Sequence, residues 1–150
     1  MRLTVYSDFS LRVLMYVALN DERRPTIGQI AASYGISRNH VMKVAYDLGA
    51  AGYLKSQRGK GGGLALARPP ERIGLGELIR RTEPDLALVP CFDPVRQPCV
   101  ISPACRLRHA LHEAQAAFLA VLDGYTLADL LVPAAPLRAL LAAGAAHTAT

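Results

Sequence analysis

Cys91, Cys99 and Cys105 are the only thiols in the chain, and they fall within fifteen residues as Cys-x7-Cys-x5-Cys. Thiols packed this closely serve a disulfide, a metal ion or an iron–sulfur cluster. In a reducing compartment an odd, clustered set favours metal ligation over disulfides. The paired Cys-x2-Cys knuckles of structural zinc sites are absent, and so are ferredoxin spacings. One loop therefore supplies three thiolates, and a fourth ligand has to come from elsewhere. His109 and His112 lie just downstream and keep a three-Cys, one-His zinc site open. Free buried thiols are the plainer alternative. Pro98 and Pro103 stiffen the loop beside its last two thiols.

The elements that position this loop begin with a basic half. Residues 1–75 hold eleven Lys/Arg against five Asp/Glu, a net +6, whereas 76–150 hold six against seven, a net −1. The +5 of the whole chain and its pI near 9.4 thus belong to the N-terminal half. A one-sided basic half suits a polyanionic partner, although an ordinary solvated basic face has the same charge. With 150 residues, 51% hydrophobic and 19% charged, the chain has enough apolar material for one or two small domains. No apolar run approaches the roughly 20 residues that span a bilayer. The start, from Met1 to Asp8, lacks the apolar stretch of a signal peptide, so a cytoplasmic protein is expected.

Leu11, Leu14, Met15 and Ala18 recur at helical spacing between Asp8 and Asn20, with Ser7 as N-cap. Thr26 with Gln29 makes a capping box for a second helix running to about Tyr34. Gly35 breaks it, and Ser37 caps a third helix through Leu48 and Ala51. Helix, glycine turn and a second helix with a polar start form the grammar of a helix-turn-helix. Its second helix would present Ser37, Arg38, Asn39, His40 and Lys43, side chains able to donate to phosphates or base edges. A solvated helix start is the competing explanation, because Ser and Asn also favour caps.

The next segment tips that balance. Residues 52–56 and 64–67 read as two short strands around Arg58-Gly59-Lys60-Gly61-Gly62-Gly63, a β-hairpin with a basic, flexible tip. Arg58 and Lys60 on such a wing can follow the phosphate backbone or enter the minor groove. A phosphate-binding loop fits poorly, since Gly-Lys-Ser/Thr is missing and a strand follows the glycines. Leu75 to Thr82 forms a short helix with Leu78 and Ile79 buried. Residues 84–103 have no helical period and hold five of the ten prolines. From about Ala104 a long helix places Leu107, Leu111, Ala114, Phe118, Val121 and Leu122 on one face and stops at Gly124. Ala110, Ala116, Ala117 and Ala120 allow close approach, so it is expected to dimerise the chain; a core helix packed on its own domain is the alternative. A short helix over 125–131 follows, then a tail helical from Pro136 to Leu141 and frayed from Gly144 onward.

The expected fold is therefore mainly α with a small β-hairpin wing, a winged helix-turn-helix plus a long dimerisation helix. Its parts are a DNA-binding domain at 1–82, a cysteine-bearing cluster loop at 83–105, and a dimerisation helix with C-terminal helix and tail at 106–150.

These residues also carry a resemblance. Met1-Arg2-Leu3-Thr4 with Ser7-Asp8, Tyr34 to His40, Arg58 to Gly63, Ile101 to Leu107 and Tyr125 to Leu130 resemble the IscR-like family of bacterial iron–sulfur winged-helix regulators, its nitric-oxide-sensitive repressors above all. The resemblance spans residues 1 to about 132. It implies a cytoplasmic homodimer that represses transcription from double-stranded DNA carrying an inverted repeat. It further implies a [4Fe–4S] cluster on Cys91, Cys99 and Cys105, with Asp8 of the partner subunit as fourth ligand and nitric oxide as signal. In IscR the fourth ligand is a histidine three residues after the last cysteine; Arg108 stands there, and His109 one position later is turned by about 100° on a helix. By itself, Asp8 reads as an acidic residue favoured by the dipole of a helix start. Two other classes stay open. One is a same-fold regulator sensing iron–sulfur status, redox state or cysteine supply, with a [2Fe–2S] cluster or none, or one stabilised by zinc. The other is a redox enzyme with reactive Cys91 or Cys99, which no Cys-x-x-Cys or general-base constellation supports.

Overall fold

The computed structural model describes residues 2–59, 61–93 and 99–147, His147 by its backbone alone. Met1, Lys60, Pro98 and the tail end at 148–150, which carry expectations above, lie outside the described residues. Helix α1 spans Val5–Leu19 and is capped by Thr4, whose hydroxyl accepts from the Ser7 N–H at 3.2 Å. The Glu83 carboxylate accepts in turn from the Thr4 N–H at 2.8 Å. Ser7, expected as the cap, is instead fully buried and donates to the Thr82 hydroxyl at 2.7 Å. The cap thus depends on a carboxylate 79 positions away, which accepts from both the N–H and the hydroxyl of Thr4 and is invisible to local pattern. The helix is also rotated from the expected stripe. Ser10, Val13, Leu14 and Val17 are buried, while Leu11, Met15 and Ala18 sit at the core's edge.

The next elements follow the sequence closely. Helix α2, Ile27–Tyr34, has the Thr26–Gln29 capping box and ends at Gly35 with φ +63°, a left-handed position suited to glycine. Helix α3, Arg38–Ala50, is capped by Ser37, whose hydroxyl accepts from the His40 N–H at 3.3 Å. Strands β1 (Leu54–Gln57) and β2 (Gly63–Leu66) pair antiparallel, with Leu54 opposite Leu66 and Gln57 opposite Gly63. Helix α4 covers Leu75–Thr82 and buries Leu78 and Ile79. Val13, Leu14, Val17, Ile30, Val41, Val44, Leu48, Tyr53, Ile73 and Leu78 form the core of this winged helix, as the fold class requires.

A strap described over residues 83–93 and 99–105 follows, with single 3-10 turns at Pro90–Phe92 and Ser102–Ala104. Helix α5 runs Arg106–Asp123 and ends at Gly124. Its expected single apolar face divides in two. Leu111, Phe118 and Leu122 are half-buried on the side toward α4, where Arg80 makes a double contact with Asp123 at 2.6 and 2.7 Å. Leu107, Ala110, Ala114, Ala117 and Val121 form a second stripe that stays exposed within the chain. Thr126 then bridges to Gly74, Leu127 enters the core, and a 3-10 turn covers Ala128–Leu131, where a helix over 125–131 was expected.

Helix α6, Ala134–His147, corrects the expected fraying from Gly144. It packs on α2, and a Cβ at Gly144 would lie 2.4 Å from the Ser33 carbonyl oxygen, so glycine there permits the close crossing. Arg138 ties α6 to α1 by donating to the Leu19 carbonyl at 2.8 Å. No helix among the described residues is long and apolar enough to cross a membrane.

Candidate nucleic-acid interface and metal centre

Helix α3 buries Val41, Val44, Ala45 and Leu48 and turns its opposite side outward. Arg38, Asn39, His40 and Lys43 are all exposed there, so the structure brings these expected residues onto one surface. Ser37 is exposed but committed to the cap, its hydroxyl also 3.1 Å from His40 Nδ1. The Arg38 guanidinium reaches back over the start of α2, within 4.0 Å of where a Gly28 Cβ would be. His40 packs its ring on Phe9 of α1 at 5.7 Å. The outward stripe also contains Met42 and Tyr46, 57% and 76% exposed, which a search for polar donors passed over. Their spacing from Asn39, i+3 and i+7, was the available signal.

The wing is built by glycine. Gly59 and Gly61 have φ of +96° and +78°, and a Cβ on Gly62 would meet the Gln57 carbonyl oxygen at 2.2 Å. Arg58 is exposed at this turn. The wing docks on the segment before α2: the Leu64 N–H donates to the Pro25 carbonyl at 2.9 Å, and Arg24 donates to the Gln57 side chain. At its base Arg68 lies over the Tyr53 ring at 4.3 Å, and Glu77 accepts from Tyr53 at 2.7 Å and from Arg68 at 2.8 Å. Arg68 first and Tyr53 second hold the Glu77 carboxyl below its usual range, while burial and then Glu77 push the Tyr53 phenol up.

The three thiols are held differently. Cys91 is half-buried in the 3-10 turn, and its neighbour Phe92 meets His112 edge-on at 5.9 Å with the Arg108 guanidinium over its face at 5.9 Å. The strap is pinned again where Gln115 donates to the Leu86 carbonyl. Cys99 is exposed, and its carbonyl accepts from the Ser102 N–H at 2.8 Å, opening the turns that lead to Cys105. Cys105 caps α5, its sulfur accepting from the Arg108 N–H at 3.4 Å.

His109 points away, 81% exposed and 3.5 Å from Glu113, and His112 is engaged with Phe92. Among the described residues no three His, Cys, Asp or Glu side chains converge on one ion. Both a zinc ion and an iron–sulfur cluster take cysteine thiolates as ligands. Three thiols on separate turns, one with an amide donor, fit the cluster's donor chemistry.

Asp8 lies in the first turn of α1, apart from these thiols in the sequence. Arg12 grips its carboxylate twice, Nη2 to Oδ2 at 2.9 Å and Nε to Oδ1 at 3.0 Å. The same helix holds α3 at two points, by the Phe9–His40 contact and by Tyr6 donating to Asp47 at 2.9 Å. Burial, and then Asp47, pushes the Tyr6 phenol up to about 12.

Residues 3–133 match the model of the Rrf2 family, described as an iron-dependent transcriptional regulator. The HTH-type transcriptional regulator NsrR of Geobacillus kaustophilus is 50% identical over 142 residues, spanning 94% of this chain and 97% of that protein. The Bacillus subtilis NsrR is 53% identical over 135 residues, spanning 87% and 90%. Among solved structures, T. potens IscR is similar in fold, with TM-score 0.71 at 24% identity and 92% and 91% of the two chains covered. CymR, the global cysteine regulator of B. subtilis, follows at TM-score 0.62 and 27% identity, covering 87% and 95%. The NsrR and CymR relatives are named as regulators, not as enzymes. This chain, with its winged helix and its thiol-bearing strap, belongs to the Rrf2 family of transcriptional regulators.

Proposed function

We propose that the chain is a DNA-binding repressor that carries a [4Fe–4S] cluster and releases its operator in response to nitric oxide. The observation that carries this is the near-full-length likeness to NsrR proteins, with all three cysteines on one strap. Cys91, Cys99 and Cys105 would hold the cluster, with Asp8 of the partner subunit as the fourth ligand. The exposed stripe of α5 supports a homodimer, since five apolar positions stay uncovered along it. The three-part division at 1–82, 83–105 and 106–150 then separates DNA reading, cluster binding and dimerisation. Ser37, Arg38, Asn39, His40 and Lys43 would work in the major groove, with Arg58 and Lys60 at the backbone and minor groove. A two-fold dimer requires an inverted repeat with half-sites spaced by whole helical turns.

When bound, the cluster supplies the iron at which nitric oxide reacts. A carboxylate oxygen matches iron poorly beside three thiolates, so Asp8 would be the most readily displaced ligand. A displaced Asp8 has Arg12 waiting on its own helix. Because α1 grips α3 through Tyr6–Asp47 and Phe9–His40, a shift of α1 carries the DNA-facing helix with it.

Anaerobic purification followed by iron and sulfide analysis, then a DNA-binding titration with and without a nitric oxide donor, tests the proposal. About four iron and four sulfide per chain are expected, with affinity lost after exposure. About two of each would move the site to a [2Fe–2S] regulator, and one zinc per chain without sulfide to a structural metal. DNA binding unchanged by the donor would end the nitric oxide assignment.

A further inference from the structure

We infer that Met42 is a specificity-determining residue that packs against a thymine 5-methyl group in the major groove, with Tyr46 one turn beyond it against the sugar–phosphate rim. The inference rests on the DNA-binding function proposed above and deepens it.

The outward stripe of α3 runs Asn39, Met42, Lys43, Tyr46, and two of its four members are large and apolar or aromatic. Over the whole described span from 2 to 93, the only other exposed large hydrophobic residue is Val5. Met42 and Tyr46 are thus concentrated on the one face that also carries the cations. Their surroundings are Arg38 and Lys43 on the same helix and Lys55 on β1, which lines the groove beside Tyr46. A second copy of this chain would bring the same cations to the same place, so like charge opposes self-association there. The uncovered apolar stripe of α5 is the better surface for a copy.

The partner of the α3 stripe must therefore be polyanionic around an apolar target. In the major groove of B-DNA that target is the thymine methyl, the one apolar group among base edges otherwise made of donors and acceptors. A methionine suits it, because an unbranched thioether adapts to an irregular apolar surface. Position supports the same assignment. Met42 sits one turn after Arg38 at the start of the helix, within the stretch that reads bases in helix-turn-helix proteins. Tyr46 lies one turn further on, beside Lys55.

The test uses the full-length holoprotein. Duplexes are selected from a randomised pool, and affinities are then measured by fluorescence anisotropy for the selected duplex and for versions in which each half-site thymine is replaced in turn by deoxyuridine. One symmetric thymine is expected at which loss of the methyl weakens binding about fourfold per half-site, the worth of one buried methyl. For Met42→Ala the same deoxyuridine replacement should cost nothing, and Met42→Leu should restore part of the sensitivity. The slope of affinity against salt should be unchanged in Met42→Ala and shallower in Arg58→Ala. Met42 is more than half exposed, so its truncation leaves the core intact. If every deoxyuridine duplex binds the parent like the thymine duplex, or if Met42→Ala loses as much as the parent does, the inference is overturned. If no duplex is enriched at all, the DNA-binding proposal falls first and this inference with it.

Discussion

Replacing Asp8 separates a ligand from an ordinary helix residue, because the structure bounds what the ordinary role is worth. Asp8 and Arg12 form an i,i+4 pair with side chains 45% and 42% exposed. Such a pair stabilises a helix by about 0.3–0.5 kcal/mol. A carboxylate near a helix N-terminus adds about 0.3–1 kcal/mol through the dipole. If Asp8 does no more, Asp8→Ala costs less than about 1.5 kcal/mol, a fall in Tm of a few degrees for about 150 residues. Arg12→Ala removes the same pair while leaving the carboxylate free, so it supplies the control. Ligation by Asp8 predicts that the two variants part company. Both should melt slightly earlier and keep their iron and sulfide, since three thiolates remain. Only Asp8→Ala should lose more than about tenfold in operator affinity of the holoprotein, a difference of about 1.4 kcal/mol. Iron and sulfide analysis, thermal melting and anisotropy on the same preparations provide the readouts. Equal affinity losses in both variants, or parental affinity in Asp8→Ala, would refute the assignment.

Three further outcomes are expected. Tyr6→Phe removes a part-buried hydrogen bond to Asp47 and should cost about 1–1.5 kcal/mol in chemical denaturation; operator affinity should fall more than that loss of folded protein explains. Gly63→Ala should destabilise by at least about 2 kcal/mol by the same method, because its Cβ would lie 2.0 Å from the Arg24 carbonyl oxygen, which is backbone. Glu77, held below its usual range by Arg68 and then Tyr53, contributes stability that is complete above the unfolded carboxyl value of about 4.3 and is lost as pH falls through its lower folded value. Glu77→Gln should therefore flatten the acid limb of the stability profile, and an unchanged limb would remove Glu77 from that role.

Local chemistry explains which elements were legible in the sequence. The Thr26–Gln29 box, Gly35 and Ser37 act within a few residues of themselves, so α2, its turn and α3 appear where their signals stand. The start of α1 was misplaced because its cap is shared with Glu83, and its stripe was misread because Ser7 and Ser10 are buried. A buried serine breaks an apolar pattern unless its partner is known, and that partner is Thr82 for Ser7 and the Tyr6 carbonyl for Ser10. Helix α6 is similar: alanines and one glycine carry little amphipathic signal, and only the approach to Ser33 explains where Gly144 belongs. The three thiols were obvious as types and spacing. Phe92 and Gln115, which pin their strap to α5, were not, since neither is a donor that a ligand search weighs.

From Leu107 to Val121 the uncovered stripe of α5 runs about 21 Å along the helix axis. Burying an exposed large aliphatic side chain is worth about 1.5–3 kcal/mol, so Leu107 and Val121, at 66% and 62% exposed, favour a covering partner, and the alanines between them let its backbone come close. The strap of cysteines runs directly into this helix through Cys105, which stands two residues before Leu107, the first member of the stripe. Among the described residues Arg12 holds the Asp8 carboxylate, His109 faces Glu113 and His112 meets Phe92. A second copy would cover the apolar face and bring another Asp8 at the same time. In the repressor proposed above, a single carboxylate exchanging between metal and Arg12 would alter both the dimer contact and, through Tyr6 and Phe9, the outward face of α3.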